Sequence, residues 1–148
     1  MRIRGILLAV GTVSFVVVLG AFQPSVRSPQ EILNEEQYSV TMRRIDTSLG
    51  DVAMNIDATY WDELGDAAFR LTSLFERVQA FWTARQVQAA VDHSGAALAA
   101  IVTLGQAAGA RSASQANEAL SDLRSVCQSC HTEFRERTDD GYRIKPGT

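Results

Sequence analysis

Residues 60–81 read YWDELGDAAFRLTSLFERVQAF, and this stretch decides the fold class of the chain. Its apolar residues recur at intervals of three and four, the spacing that places side chains on one face of an α-helix. A continuous face of this kind is buried against other helices at a shallow crossing angle. The recurring positions are Tyr60, Leu64, Ala67, Leu71, Leu74, Val78 and Phe81.

Three other stretches repeat the same spacing, one before residues 60–81 and two after them. The earlier stretch is predicted to begin at Ser28-Pro29, where Ser caps the helix and Pro takes its first position. Its apolar face comprises Tyr38, Met42, Ile45, Leu49, Val52 and Ile56. The two later faces comprise Val87, Ala90, Ser94, Ala97, Ile101, Leu104 and Ala108, and then Ala116, Leu120, Leu123, Cys127, Cys130 and Phe134.

Together the four stretches predict an all-α fold, an antiparallel up-down four-helix bundle in one domain. Consecutive helices are expected to be antiparallel because the connections between them are short. Ser112 with Gln115 is a candidate capping box at the start of the fourth helix, which is expected to end near Arg137. The tail from Gly141 to Pro146 is predicted to be an extended strap.

Composition limits the function classes before any motif is considered. The chain has 148 residues, of which 46% are hydrophobic and 21% charged, as expected for a globular protein rather than a disordered one. The net charge is -3 and no run of Lys or Arg occurs, which argues against nucleic-acid binding. Two cysteines are too few for a disulfide scaffold.

The N-terminal segment is predicted to be a targeting segment rather than part of the bundle. Arg2 and Arg4 precede an uncharged, largely apolar stretch, the pattern of an export signal. Residues 1–21 are therefore an export signal, or else part of a membrane anchor through residues 5–22, and the bundle domain covers residues 22–148. Cleavage after residue 21 removes two of the 14 basic residues and none of the 17 acidic ones, which leaves a charge of -5.

The chemistry concentrates in Cys127-Gln-Ser-Cys130-His131, near the end of the fourth predicted helix. C-x-x-C-H is the signature of covalent c-type haem attachment, in which two thiols form thioethers and the histidine binds the iron. At about 100° per residue, all three side chains lie within one arc of the helix. The motif predicts one haem c, anchored by Cys127 and Cys130, with His131 as the axial ligand.

Three other uses of these cysteines stay open. A structural zinc site needs about four ligands, and beyond the motif only His93 and carboxylates are available. A thioredoxin-like dithiol lies at a helix N-terminus after a strand, whereas this pair lies deep in the last predicted helix. The third use is a buried pair of free thiols.

A four-helix bundle with C-x-x-C-H near its C-terminal end resembles the class II cytochromes c, the cytochrome c′ family. The resemblance covers residues from about 30 to 145. It depends on the haem motif with Arg135 four residues after His131, on MRRIDTSLG at 42–50, and on DGYRIK at 140–145. It implies that Arg135 lies beside the exposed edge of the haem, although a solvated arginine on the last turn fits the same pattern.

Met42 decides what the resemblance implies for mechanism. In low-spin relatives a Met at this position of the first helix is the sixth iron ligand, which suits electron transfer. In relatives with a non-ligand there, five-coordinate iron binds nitric oxide or carbon monoxide. Met42 also fits a plain core role, since Met fills irregular gaps. Met54 lies about 18 Å further along the helix and His93 lies off the apolar face, so neither is expected to bind iron.

The sequence therefore predicts an exported, periplasmic c-type cytochrome that exchanges single electrons with redox partner proteins. No set of residues suggests substrate turnover, so no enzyme activity is predicted. A gas-binding haem protein is the alternative, and a haem-free helical interaction module is a third reading.

Members of the family often form homodimers through their first two helices, which this sequence leaves open. Trp61, Trp82, Phe75 and Phe81 are expected to pack the core around the porphyrin.

Overall fold

Four long helices follow one another in the computed structural model, which describes residues 32–139 and 141–148. Two short strands come after the last helix. The elements are α1 (Glu35–Asp57), α2 (Trp61–Ala84), α3 (Gln88–Gly109), α4 (Ala113–Phe134), β1 (Arg135–Thr138) and β2 (Gly141–Ile144). The all-α four-helix bundle predicted from the spacing of apolar residues is confirmed.

The core of the bundle consists of the predicted apolar faces. Leu64 and Leu71 of α2, Leu104 of α3 and Leu123 of α4 are fully buried, each with 0% of its surface exposed. Burial of a leucine side chain stabilises the fold by about 1.5–3 kcal/mol, so these layers account for much of the packing energy. Tyr60 is an exception: it lies just before α2 and is 57% exposed.

The starts of two helices test the capping predictions. The predicted Ser28-Pro29 start lies outside the described residues, and within them α1 begins at Glu35. Asn34 and Gln37 form a reciprocal capping box there, with each side chain accepting a hydrogen bond from the other residue's backbone N–H. Ser112 is the N-cap of α4, and its hydroxyl accepts from the Gln115 N–H at 3.5 Å, which is one half of the predicted box.

The three connections between helices share one backbone design. Each is three residues long, and its middle residue, Thr59, Gln86 or Arg111, has a φ between 52° and 60°. The N–H of the third residue then donates to a carbonyl five residues back, as in Tyr60 to Asn55 at 2.9 Å. This Schellman arrangement satisfies the last carbonyls of the helix and reverses the chain, which makes consecutive helices antiparallel.

The end of the chain differs from the prediction in where α4 ends and in the pairing of the extended tail. α4 stops at Phe134 rather than near Arg137, and the predicted strap is the second strand of an antiparallel hairpin in which Arg135 pairs with Ile144. Gly141, with a φ of +139°, follows the turn, a conformation that favours glycine. The Lys145 N–H donates to the Phe134 carbonyl at 2.9 Å, so the tail closes back onto the end of α4.

The helix pairs do not pack equally. The three pairs that are consecutive in the chain make extensive contact, whereas α1 and α4, which close the bundle, contact each other more sparsely. None of the helices in the described part of the chain is both long and apolar enough to cross a bilayer. The predicted export signal or anchor at residues 1–21 lies outside that part.

Candidate functional site

The last turns of α4 present the C-x-x-C-H motif to a half-open cavity of about 260 Å³. Cys127, Cys130 and His131 all line this cavity, as expected from their common arc on the helix. Both cysteines are free thiols and half-buried. The motif is therefore on the inner side of α4, where its side chains can reach a ligand between the helices.

All four helices contribute to the cavity wall. α1 supplies Met42, which the sequence placed opposite the motif as a candidate sixth ligand, and the structure brings Met42 and the motif to the same cavity. Met54, the other methionine of α1, is 59% exposed and does not line it. Most of the remaining wall is apolar and consists of Ile45, Leu49, Phe75, Val78, Ala97 and Val126.

Burial sets the protonation states of the motif. The pKa of Cys130 is raised to about 11, mainly by burial and further by the nearby Cys127 and Glu133. Burial also raises the pKa of Cys127. Both groups are therefore neutral thiols at pH 7. They are poor spontaneous nucleophiles, because the thiolate is the reactive form.

The pKa of His131 is shifted in the opposite direction, downward. Burial lowers its pKa, and the positive charge of Arg135 lowers it further, while the carboxylate of Asp46 on α1 acts against both. The imidazole is consequently neutral at pH 7, the form with a lone pair available for a metal. A neutral imidazole can bind a metal, whereas a protonated imidazole at the surface cannot.

An aromatic cluster lies behind the cysteines. The Trp82 indole N–H donates to the Tyr38 hydroxyl at 3.2 Å, and the Tyr38 ring stacks on Phe81 with centroids 4.3 Å apart. Burial raises the pKa of Tyr38, so its hydroxyl stays neutral. Of the four aromatic residues expected around a porphyrin, Phe75 alone borders the cavity. Phe81 and Trp82 are buried without lining it, and Trp61 is half-exposed.

His93 is the residue that sequence reasoning misplaced. It is half-buried and lines the cavity from α3, with its Nε2 atom 3.2 Å from a Glu133 carboxylate oxygen. The spacing contained the signal, because position 93 comes three residues after Ala90 and four before Ala97, both of them buried. Its imidazole is thus a second nitrogen donor at the cavity, held by a carboxylate.

Arg135, expected at the edge of a haem, is exposed at the start of β1 and does not line the cavity. Its guanidinium carbon lies 4.1 Å from the centroid of the Tyr142 ring, so the hairpin holds this side chain in place. Its charge still acts on His131. The guanidinium that does border the cavity belongs to Arg124 of α4, a residue that the sequence analysis did not single out.

Across residues 32–139 and 141–148, no group of three or more His, Cys, Asp or Glu side chains is arranged to hold a metal ion by itself. The function of the cavity has to be inferred from its own side chains. Comparison of the chain with models of protein families, with curated proteins and with solved structures found no match.

Proposed function

We propose that this chain is an exported c-type cytochrome, similar to the cytochrome c′ family, that carries one covalently bound haem and transfers single electrons. The observation that supports the proposal is the shared cavity, which Met42 from α1 lines together with Cys127, Cys130 and His131 from α4. Two thiols for covalent attachment, with an imidazole and a thioether as iron ligands, around one apolar space form a set suited to haem c.

Attachment would use the two free thiols of α4. Cys127 and Cys130 would hold the porphyrin as thioethers, and because a thiol adds both its sulfur and its hydrogen across a vinyl group, attachment would need no oxidant and would release no leaving group. The cavity of about 260 Å³ is smaller than the roughly 300–1,000 Å³ of typical small-molecule pockets, but it is half-open. Loading a porphyrin therefore requires the surrounding side chains or helices to move apart.

His131 and Met42 are the residues that would bind the iron. A neutral His131 offers its lone pair without first losing a proton, and burial keeps it in that form. The Met42 thioether would be a second ligand from the protein, and thioether ligation favours the ferrous state. When bound, the haem supplies a one-electron ferric–ferrous couple. The apolar walls, including Leu49 and Phe75, would exclude water from the metal and raise its potential.

The proposal also implies a cellular location and a class of partner for the chain. Residues 1–21 would direct export to the periplasm, or residues 5–22 would tether the domain to the membrane, and redox proteins would be its partners. The proposal assigns no substrate turnover to the chain.

The mass of the full chain tests attachment directly. Expression in a strain that matures c-type cytochromes is expected to give a protein heavier by one haem. Cys127→Ser combined with Cys130→Ser should abolish the added mass, whereas Ser129→Ala, an exposed residue between them, should keep it. Matured wild-type protein without a bound tetrapyrrole would refute the proposal and favour a haem-free interaction module.

Optical spectra of the loaded protein test the sixth ligand. Met42→Ala should convert a low-spin spectrum to a high-spin one that responds to carbon monoxide, while Met54→Ala, the exposed methionine of the same helix, should change nothing. His93→Ala serves as a second comparison, because His93 lines the same cavity. A wild-type spectrum that is already high-spin and binds carbon monoxide would replace electron transfer with gas binding.

A further inference from the structure

A second hollow lies on the other side of the same helices. It is a shallow groove of about 610 Å³ between α1 and α2. Arg43 and Arg44 of α1 and Arg70 and Arg77 of α2 line it, together with Phe69, three hydroxyl side chains and two further apolar residues. We refer to it as the arginine groove.

Charge is sharply segregated around the arginine groove. α1 and α2 contain four basic residues, and all four line it. The same two helices contain five and four acidic residues respectively, and none of these lines it. The chain as a whole is acidic, with a net charge of -3. The groove is therefore a concentrated positive surface on a negative protein.

The four guanidinium groups of the groove make no ion pair within residues 32–139 and 141–148. The arginines that form ion pairs there are Arg85 and Arg143, and His93 lies within hydrogen-bonding distance of Glu133. Phe69 is 74% exposed, the largest exposure among the large apolar side chains of the described residues. Arginine and aromatic side chains are enriched at protein interfaces and at their energetic centres.

We propose that the arginine groove is a docking surface for an acidic segment of a partner protein, one in which clustered carboxylates surround an apolar side chain. The carboxylates would pair with the guanidinium groups, whose planar donor forks match carboxylate geometry. The apolar side chain would cover Phe69. This proposal does not depend on haem, because every residue it uses lies outside the cavity.

The form and charge of the groove favour this partner over two others. A two-fold contact with a second copy of the chain would bring the same face to itself and oppose four guanidinium groups to four more. A bilayer surface is flat, whereas this surface is concave between two helices. An acidic peptide segment satisfies both the charge and the shape.

A labelled peptide of Glu and Asp residues around a central Phe tests the proposal on the full chain. Arg70→Gln with Arg77→Gln should weaken binding of this peptide by about tenfold, and Phe69→Ser by a similar factor. Arg111→Gln with Arg137→Gln removes the same charge from exposed sites elsewhere and should leave the affinity within about twofold. NMR shift changes should map to residues of α1 and α2 that line the groove.

Three results would overturn the proposal. Equal weakening by the two double variants would mean that only net charge attracts the peptide. Binding to vesicles of anionic lipid without binding to the peptide would identify a membrane surface instead. Self-association that is lost on Phe69→Ser would identify a second copy as the occupant.

Discussion

The two sides of the wall formed by α1 and α2 differ sharply in their chemistry. Met42 and Arg43 are adjacent in sequence, yet Met42 lines the apolar cavity and Arg43 lines the arginine groove. Ile45 and Leu49 continue the inner side, while Thr47 and Ser48 continue the outer one. A helix is only about 10 Å across, so two chemically opposite surfaces are separated by a single element.

The difference shows how one helix can serve two purposes independently. Because neighbouring residues of a helix point about 100° apart, substitutions on one side leave the other side's contacts in place. The inner side is under packing constraint, since Ile45 and Val52 are 4% and 0% exposed. Arg43, Arg44 and Thr47 on the outer side are exposed and under less packing constraint, so the composition there is informative about binding.

The largest expected effect comes from breaking the packing behind the inner side. Trp82 is fully buried at 0% exposure and contacts Tyr38, Phe81 and Phe134. Trp82→Ala should reduce the free energy of unfolding by about 3–5 kcal/mol because it leaves a cavity. Urea denaturation measures this loss. Trp61→Ala, at a half-exposed tryptophan of the same helix, should cost clearly less, and equal losses would contradict the packing assigned here.

A smaller effect distinguishes the two methionines of α1. Met42 is half-buried against the core, so Met42→Ala in the haem-free chain should reduce the free energy of unfolding by about 1–2 kcal/mol. Met54→Ala removes an exposed side chain and should change stability by no more than about 0.5 kcal/mol. If both variants unfold at the same urea concentration, Met42 does not belong to the packed side of the helix.

The stability of the haem-free, reduced chain should also depend on alkaline pH through a thiol that lines the cavity. The folded pKa of Cys130 is about 11 and its ordinary value is 9.0, so the unfolded chain loses this proton first. The contribution of the Cys130 thiol to the free energy of unfolding is intact below pH 9 and is lost as the pH rises through about 11. Unfolding midpoints at pH 8 and above pH 10 should therefore differ less in Cys130→Ala than in wild type, and an unchanged difference would contradict the shift.

The smallest expected effect concerns the outer side. Arg44→Gln should change the free energy of unfolding by less than about 0.5 kcal/mol, because this exposed side chain makes no ion pair among the described residues. Relief of repulsion from Arg43 should make the change slightly stabilising at low salt. A loss comparable to that of Met42→Ala would mean that the groove arginines support the fold.

The helices were predictable because each carries a long apolar face with its own period. In α2, Leu64, Leu71 and Val78 are buried as their spacing indicates. Trp82 and Phe75 are buried as well, because the buried side of a bundle helix is wider than a single line of residues. α1 begins at Glu35 after a capping box at Asn34, whereas the sequence analysis relied on the earlier Ser28-Pro29 signal.

The hairpin and His93 were harder to predict. Strands of four residues are too short for a clear alternating pattern, and β1 is held largely by contacts that only the fold reveals, such as Arg135 over Tyr142. The Asp-Gly pair at 140–141 was the available sequence signal for the turn. His93 has the spacing of a residue on the buried side of α3, but its place at the cavity also depends on the packing of α3 beside α4, which no local pattern contains.

The three tight connections have a mechanical consequence. Each joins two helices through only three residues, so α2 cannot move away from α1 or α3, nor α3 from α4, without stretching a turn. α1 and α4 have no such tether, contact each other sparsely, and both border the cavity. We therefore expect a flat molecule as large as a porphyrin to enter between the first and last helices, with the bundle opening along that one edge.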